Sequence, residues 1–137
     1  MTYLLDTNIV SEISKRDPDP GVRGWFDTVD AADLHLSVVV LGEIQQGIDR
    51  LRPRDATQAR ALTSWLDRLR SGFADRIVPV SLDVALTWGR LNAERTLPVV
   101  DGLLAATAIT HDWTLITRNE RHVAGTGVRL LNPFTAA

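Results

Sequence analysis

Cysteine is missing altogether from this chain of 137 residues. Its absence excludes disulfide-stapled scaffolds, thiolate zinc sites, iron–sulfur clusters and cysteine nucleophiles, and it favours a reducing compartment. Long apolar runs are missing too, since none approaches the roughly 18 to 20 residues that a helix needs to cross a bilayer. The N-terminal residues include the acid Asp6 and no basic segment, so we expect no export signal, no membrane contact and a cytoplasmic location.

Several sequence motifs for small-molecule chemistry are also absent. There is no phosphate-binding loop of the Gly-x-x-x-x-Gly-Lys type, no Gly-x-Gly-x-x-Gly after the first apolar run and no Gly-x-Ser-x-Gly elbow. Neither nucleotide-cofactor binding nor serine hydrolase chemistry is therefore indicated. The net charge of −2 and the pI of about 5.9 give no overall attraction to nucleic acid. Any contact with nucleic acid must be local.

The composition that remains is that of an ordinary globular domain. Hydrophobic residues make up 45% of the chain and charged residues 23%, far from the apolar-poor composition of disordered chains. No repeat, low-complexity segment or long Gly/Ser linker divides the sequence. We therefore expect one domain that spans residues 1–137.

Short apolar runs alternate with longer stretches of helical periodicity along the chain. The short runs predict five strands, at residues 3–5, 34–36, 77–80, 114–117 and 128–131. Helices are predicted at residues 9–13 and 22–29, after Ser37, from 59 to about 72, after Ser81, and from Asp101 onwards. This alternation indicates an α/β fold with a central parallel sheet of short strands flanked by helices on both faces.

Acidic and amide side chains stand near the carboxyl ends of the predicted strands. Asp6 follows the first strand directly and Asn119 follows the strand at 114–117, while Glu43 and Asp101 lie in helices that begin near strand ends. Ligands bind beyond the carboxyl ends of parallel strands, so these side chains are expected to converge. Each acid alone also has a structural interpretation, as a helix cap or a solvent-facing residue.

A cluster of carboxylates has a chemical consequence. Two carboxylates about 4 Å apart repel by roughly 4 kcal/mol at an effective dielectric constant near 20, so a cluster requires a cation or a proton. Oxygen ligands without cysteine favour Mg²⁺ or Mn²⁺ over zinc. Metal-assisted hydrolysis of a phosphodiester is the chemistry that such an arrangement supports.

Several spaced motifs together resemble one known family. They are Leu4-Leu5-Asp6-Thr7-Asn8 with Ser11, then Glu43, then Asp101, then Ile116-Thr117-Arg118-Asn119, and the tail from Gly125 to Phe134. In this order they resemble the PIN-domain ribonucleases, and among them the VapC/FitB-like toxins of bacterial toxin–antitoxin pairs. The resemblance runs from about residue 3 to residue 134. Each motif by itself is weak, and the specificity comes from their common order.

The resemblance implies a PIN fold that cleaves RNA endonucleolytically with Mg²⁺ or Mn²⁺. By position, Asp6, Glu43 and Asp101 would be the catalytic residues, with Asp6 and Asp101 as direct metal ligands and Glu43 as a further ligand or a water-positioning base. Polar positions that line or brace the pocket match Thr7, Asn8, Thr117 and Asn119. The resemblance also implies a homodimer and a cognate antitoxin protein. Candidates for holding RNA phosphates are Arg16 and Arg118, with Arg50 and Arg121 beside them.

One position departs from the family pattern. The family often carries an acid in a sequence such as Thr-Arg-Asn-x-x-Asp-Phe, whereas this chain has His122 at that place. His122 is interpreted in three ways: as a neutral imidazole that reaches the metal, as a proton shuttle, or as a non-catalytic replacement. Glu120 stands two residues earlier, in a different register.

Two other functions remain open on sequence grounds. An aspartate after a first apolar strand also begins the haloacid-dehalogenase-like phosphotransferases, but these need a second aspartate two residues on, where this chain has Asn8. The other alternative is a catalytically weakened PIN-like binding module that acts through an antitoxin or through RNA, which the replacement at His122 would fit.

Overall fold

The computed structural model describes residues 1–135 and is built around a parallel sheet with the strand order β3-β2-β1-β4-β5. All four neighbouring strand pairs run parallel. The α/β architecture predicted from the sequence is therefore confirmed. The strands are β1 Tyr3–Leu5, β2 Leu34–Ser37, β3 Ile77–Val78, β4 Thr114–Ile116 and β5 Arg129–Leu131.

Helices connect the strands and flank the sheet. Their bounds are α1 Thr7–Ile13, α2 Pro20–Thr28, α3 Val38–Leu51, α4 Ala56–Gly72, α5 Leu82–Glu94, α6 Val99–His111 and α7 Glu120–Val123, with a 3₁₀ turn at Ala31–Asp33. The 3₁₀ turn and the four-residue α7 were not predicted. Ser37 and Ser81 cap α3 and α5 as expected, each accepting a backbone N–H. Nowhere in residues 1–135 is a helix both long and apolar enough to cross a membrane.

Most predicted boundaries are shifted by one to three residues, and proline accounts for two of the shifts. The strand expected at 77–80 ends at Val78, because Pro79 has no N–H to offer the ladder. The helix expected to open at Asp101 begins earlier, at Val99, directly after Pro98. Pro98 holds the extended conformation that precedes a helix, with φ −53° and ψ 134°. Asp101 therefore lies inside the first turn of α6.

The core lies where β1, β2 and β4 meet the helices. Leu4, Leu36 and Leu115 from these strands are fully or almost fully buried. The middle of α6 is buried from Leu104 to Ala108, and the helix packs closely against α5. The middle strands and α6 thus form a rigid base beneath the sheet edge at which β1 and β4 end.

The C-terminal tail is fastened to the start of α2 by one carboxylate. Asp19 Oδ2 accepts hydrogen bonds from the N–H groups of Gly21 and Val22, at 2.9 and 3.1 Å. The same oxygen accepts from the backbone N–H and the hydroxyl of Thr135, at 2.9 and 3.0 Å. These bonds hold the tail in place next to Phe134.

The close contact between α2 and the tail predicts an unusual response to alanine. A Cβ added to Gly21 would lie 2.2 Å from the backbone oxygen of Pro133, whereas one added to Gly24 meets nothing within 4 Å. We expect Gly21→Ala to lower the free energy of unfolding by about 1–3 kcal/mol through overpacking. Gly24→Ala, in the same helix, should raise it by about 0.5–1 kcal/mol. Urea unfolding measures both, and equal effects of the two changes would contradict this packing.

The tail contact also predicts a dependence on pH. The pKa of Asp19 lies below its usual value, chiefly because its carboxylate accepts from the Thr135 backbone. A depressed folded-state pKa gives stabilisation that is fully present above the unfolded pKa, near pH 4, and is lost as the pH falls through the lower folded-state pKa. Asp19→Asn should therefore be less stable at neutral pH, and the difference should shrink in acid. Urea unfolding at a series of pH values tests this, and a constant difference would refute it.

Candidate active site

Asp6 lies at the point where the central strand β1 becomes α1. Its Oδ1 accepts the N–H of Thr7 at 2.6 Å, which caps α1. Its Oδ2 accepts the hydroxyl of Thr117 at 2.6 Å and the side-chain amide of Asn8 at 3.4 Å. Because Thr117 directly follows β4, the neighbour of β1, the two strand ends bring these groups together. Asp6 is only 4% exposed and its carboxylate is held in one orientation.

Glu43 reaches the same place from α3. This helix starts directly after β2, on the other side of β1, and its buried stripe of Val40, Ile44 and Ile48 faces the core. Glu43 stands beside that stripe and is half-buried. The hydroxyl of Thr7 donates to Glu43 Oε1 at 2.6 Å.

Asp101 enters from the first turn of α6 and has His122 as its neighbour. His122 Nδ1 lies 2.7 Å from Asp101 Oδ2, and since a carboxylate can only accept, Nδ1 carries the hydrogen. The Asp101 side chain is 12% exposed and that of His122 is 50% exposed. The short helix α7 holds His122 in this position, so the histidine that stands where the resemblance leads us to expect an acid contacts Asp101 directly.

All three acids line one cavity of about 590 Å³. This acid cavity is lined by Asp6, Thr7, Asn8, Glu43, Pro98, Val99, Val100, Asp101 and Asn119. The convergence expected from the strand ends is therefore seen, and no basic side chain is among these lining residues. The apolar wall from Pro98 to Val100 had no signal in the sequence beyond its position before Asp101.

No basic side chain among the lining residues balances the negative charges of the acid cavity. Burial raises the pKa of Asp6, and the nearby charges of Asp101 and Glu43 add to this increase. The hydrogen bonds from Thr117 and Thr7 act in the opposite direction and do not cancel it. The folded protein thus holds a buried carboxylate, close to two others, that a positive charge in the cavity would stabilise.

The donor atoms fit a hard, hydrated cation. Within residues 1–135, no three His, Asp or Glu side chains are grouped closely enough to enclose a metal ion. Mg²⁺ seldom needs such a cage, because it usually takes one or two carboxylates and keeps several waters. The acid cavity offers carboxylate, hydroxyl and amide oxygens and has room for water. These residues therefore suit Mg²⁺ or Mn²⁺ and not a thiolate-bound metal.

The other predicted site residues do not all lie at the acid cavity. Asn8 Oδ1 accepts the N–H of Arg118 at 3.3 Å, and the N–H of Asn119 donates to the Thr117 hydroxyl at 2.9 Å. Asn8 thus braces the acid cavity through its side chain, and Asn119 does so through its backbone. Arg118 is exposed and lies beside the cavity, with its guanidinium over the ring of Phe134. Arg16 is exposed after α1 and is not among the residues that line the acid cavity.

Comparison with known proteins identifies relatives of the same length and fold. The PIN domain model matches residues 3–125. The VapC ribonuclease Y4jK of Sinorhizobium fredii is 28% identical, over 98% of this chain and 99% of the relative. The toxin FitB of Neisseria gonorrhoeae is 29% identical, over 96% of this chain and 97% of the relative.

Solved structures of similar fold also match this chain over nearly its whole length. The FitAcB structure from Neisseria gonorrhoeae superposes with a TM-score of 0.86 at 28% identity, covering 96% of this chain and 98% of that one. VapBC2 from Rickettsia felis, solved with a DNA fragment from its promoter, gives a TM-score of 0.73 at 26% identity, covering 96% and 98%. The family model covers most of the chain, and the chain therefore belongs to the PIN-domain family.

Proposed function

We propose that this chain is a metal-dependent endoribonuclease that acts as the toxin of a toxin–antitoxin pair, with residues 1–137 forming one domain. The observation that carries the proposal is the acid cavity, in which a buried carboxylate of raised pKa stands near two more acids with no basic side chain in the lining. Two relatives of nearly equal length, named a VapC ribonuclease and the toxin FitB, support it.

Each residue of the acid cavity has its own role in the proposed reaction. Asp6 and Asp101 would hold Mg²⁺ or Mn²⁺, which when bound would neutralise charge on the phosphate and make a water more acidic. Thr7 and Thr117 fix the Asp6 carboxylate through hydrogen bonds of 2.6 Å each. Glu43, held by the Thr7 hydroxyl, positions the attacking water and accepts its proton. The oxygen of that water forms a bond to phosphorus while the P–O bond to the leaving ribose oxygen breaks, and the leaving oxygen takes a proton from solvent, which completes hydrolysis of an RNA phosphodiester.

Solved structures of similar fold support the proposed antitoxin partner. They are named FitAcB and VapBC2, the latter with a DNA fragment from its promoter. We propose that this chain likewise pairs with a cognate antitoxin protein, forms a homodimer and acts on cytoplasmic RNA.

Cleavage of RNA by the purified protein tests the proposed function. A labelled pool of structured RNA, such as total tRNA, would be incubated with Mg²⁺, with Mn²⁺ or with EDTA. Discrete fragments should form only with a metal and should disappear in the double variant Asp6→Asn with Asp101→Asn. The matched control removes two exposed acids outside the cavity, Asp27→Asn with Asp67→Asn, and should cleave normally.

A second function is favoured by the contact of His122 with Asp101. If a folded protein left several classes of RNA intact with either metal, the nuclease would be excluded. The chain would then be a binding module that acts through its antitoxin or through RNA, and the occupied Asp101 carboxylate would explain the lost cleavage.

The same contact leads to a prediction about metal affinity. The His122 imidazole orients the Asp101 carboxylate, and loss of such an outer partner typically costs a metal site 10- to 100-fold in affinity. We expect His122→Ala to weaken Mn²⁺ binding by about that factor in calorimetric titration. His111→Ala is the control, since His111 stacks on Trp113 at the far end of α6. Unchanged or tighter binding in His122→Ala would mean that His122 is a non-catalytic replacement.

A further inference from the structure

A second cavity, of about 750 Å³, adjoins the acid cavity. We call it the flanking pocket, and the residues that matter for its chemistry are Arg118, Asn119, Arg121, His122, Asn132 and Phe134. Asn119 lines both cavities, and His122 at the edge of the flanking pocket contacts Asp101 at the edge of the acid cavity. A chain that passes through the acid cavity therefore has a neighbouring compartment within reach.

We propose that the flanking pocket binds the nucleotide next to the scissile phosphodiester, in single-stranded RNA. This inference rests on the proposed nuclease function and adds to it a second binding compartment. Arg118 and Arg121 hold the phosphate of that nucleotide, while its base stacks on the layer formed by Arg118 and Phe134. RNA recognition commonly uses unstacked bases placed on aromatic rings or on guanidinium planes.

The two cavities differ in charge in a way that suits one RNA strand lying across both. The acid cavity has no basic side chain in its lining, whereas the flanking pocket has two arginines and one acid, Glu120. Glu120 Oε2 accepts the side-chain amide of Asn132 at 3.1 Å. In residues 1–135, neither Arg118 nor Arg121 forms an ion pair with a carboxylate. Both guanidinium groups are thus available to an external anion.

The stacking layer is already assembled without RNA. The guanidinium carbon of Arg118 lies 4.5 Å from the centre of the Phe134 ring. The backbone of Arg118 is held by Asn8 Oδ1, and the N–H of Phe134 donates to Asn132 Oδ1 at 3.0 Å. Asp19 in turn holds the adjacent Thr135. A preformed surface of this kind binds a base with little loss of side-chain entropy.

Binding of a fluorescein-labelled, ten-nucleotide single-stranded RNA tests the flanking pocket. Anisotropy would be measured in the Asp6→Asn background, which we expect to bind without cutting, at several salt concentrations. Arg121→Gln should weaken binding and reduce the salt slope by about 0.7, the value for one phosphate contact on a single strand. Phe134→Leu should weaken binding by about fivefold to a hundredfold and leave the salt slope unchanged, because a stacking contact releases no counterion.

Controls separate the pocket from overall charge and folding. Arg68→Gln removes the same charge from an exposed position on α4 outside both cavities and should bind as the background does. Thermal unfolding of Phe134→Leu checks that the tail remains folded. Failure of the Asp6→Asn protein to bind the oligonucleotide, or equal binding by all the variants, would overturn the proposal.

The nuclease and the pocket can fail independently. If the unchanged protein cuts RNA and the pocket variants bind normally, only the pocket is wrong, and the stack of Arg118 on Phe134 serves to fasten the tail. If the pocket variants lose binding as expected but the unchanged protein cuts no RNA with either metal, the pocket stands and the nuclease fails. In an active background, Phe134→Leu should also shift the preferred cleavage positions without changing Mn²⁺ affinity.

Discussion

RNA cleavage by the Asp6→Asn variant is expected to fall at least about a hundredfold below that of the unchanged protein. A metal that acts as a Lewis acid contributes several kcal/mol to the transition state, and each 1.36 kcal/mol is a factor of ten in rate. Asp6 is the most deeply buried of the three acids in the cavity, and it is fixed by two hydrogen bonds of 2.6 Å. An amide in its place binds a divalent cation far less well than a carboxylate does.

The same variant should be more stable than the unchanged protein when divalent cations are absent. Burial raises the pKa of Asp6, so the folded state binds a proton more tightly than the unfolded state does. The carboxylate therefore destabilises the fold at pH values above that raised pKa, and the cost disappears as the pH falls through it. Asparagine removes this charge and can still cap α1 by accepting the N–H of Thr7.

Thermal unfolding at neutral pH distinguishes this result from simple damage. In EDTA, Asp6→Asn should have the higher Tm. Added Mg²⁺ should raise the Tm of the unchanged protein, because Mg²⁺ at a hundred times its Kd adds about 2.7 kcal/mol to the free energy of unfolding. The Tm of the variant should be nearly unaffected. Asp27→Asn, on the exposed side of α2, should respond to Mg²⁺ as the unchanged protein does. A variant that is less stable in EDTA would show that the Asp6 charge is compensated within the fold.

Sequence alone predicted the fold because its signals are local. The strands β1, β2, β4 and β5 are short apolar runs bounded by helical patterns, and the parallel order follows from their alternation. The convergence of Asp6, Glu43 and Asp101 could also be predicted, since residues near the carboxyl ends of parallel strands meet at one edge. Four residues of α7 are too few to show a helical period, and this helix was missed.

The parts of the site that sequence did not predict depend on contacts between distant residues. His122 meets Asp101 across 21 positions, and Thr135 meets Asp19 across 116. No local pattern encodes such pairs. The stacking of Arg118 on Phe134 depends in turn on the tail that Asp19 holds. Arg16, chosen for its charge alone, lines neither cavity.

Thr117→Val is expected to lose both cleavage and stability. The hydroxyl of Thr117, in a residue that is 1% exposed, donates to Asp6 Oδ2 and accepts the N–H of Asn119. Valine keeps the shape but leaves a buried acceptor and a backbone donor without this partner, which costs about 1–3 kcal/mol of the free energy of unfolding. Loss of an outer partner that orients a metal ligand should reduce cleavage about 10- to 100-fold.

Thr117→Ser is the matched control, because it keeps the hydroxyl and removes only a methyl group. It should lose about 0.8 kcal/mol of stability and retain most of its cleavage. The hydrogen bond from Thr117 lowers the pKa of Asp6, so the valine variant should show a higher Asp6 pKa in a carbon-13 NMR titration, and the serine variant should not. If valine and serine cleaved alike, Asp6 would be oriented sufficiently by Thr7 and Asn8 alone. Thr117→Val should lose both stability and activity, whereas Asp6→Asn should gain stability and lose activity. This contrast would distinguish the role of Thr117, which orients the carboxylate, from the role of the carboxylate itself.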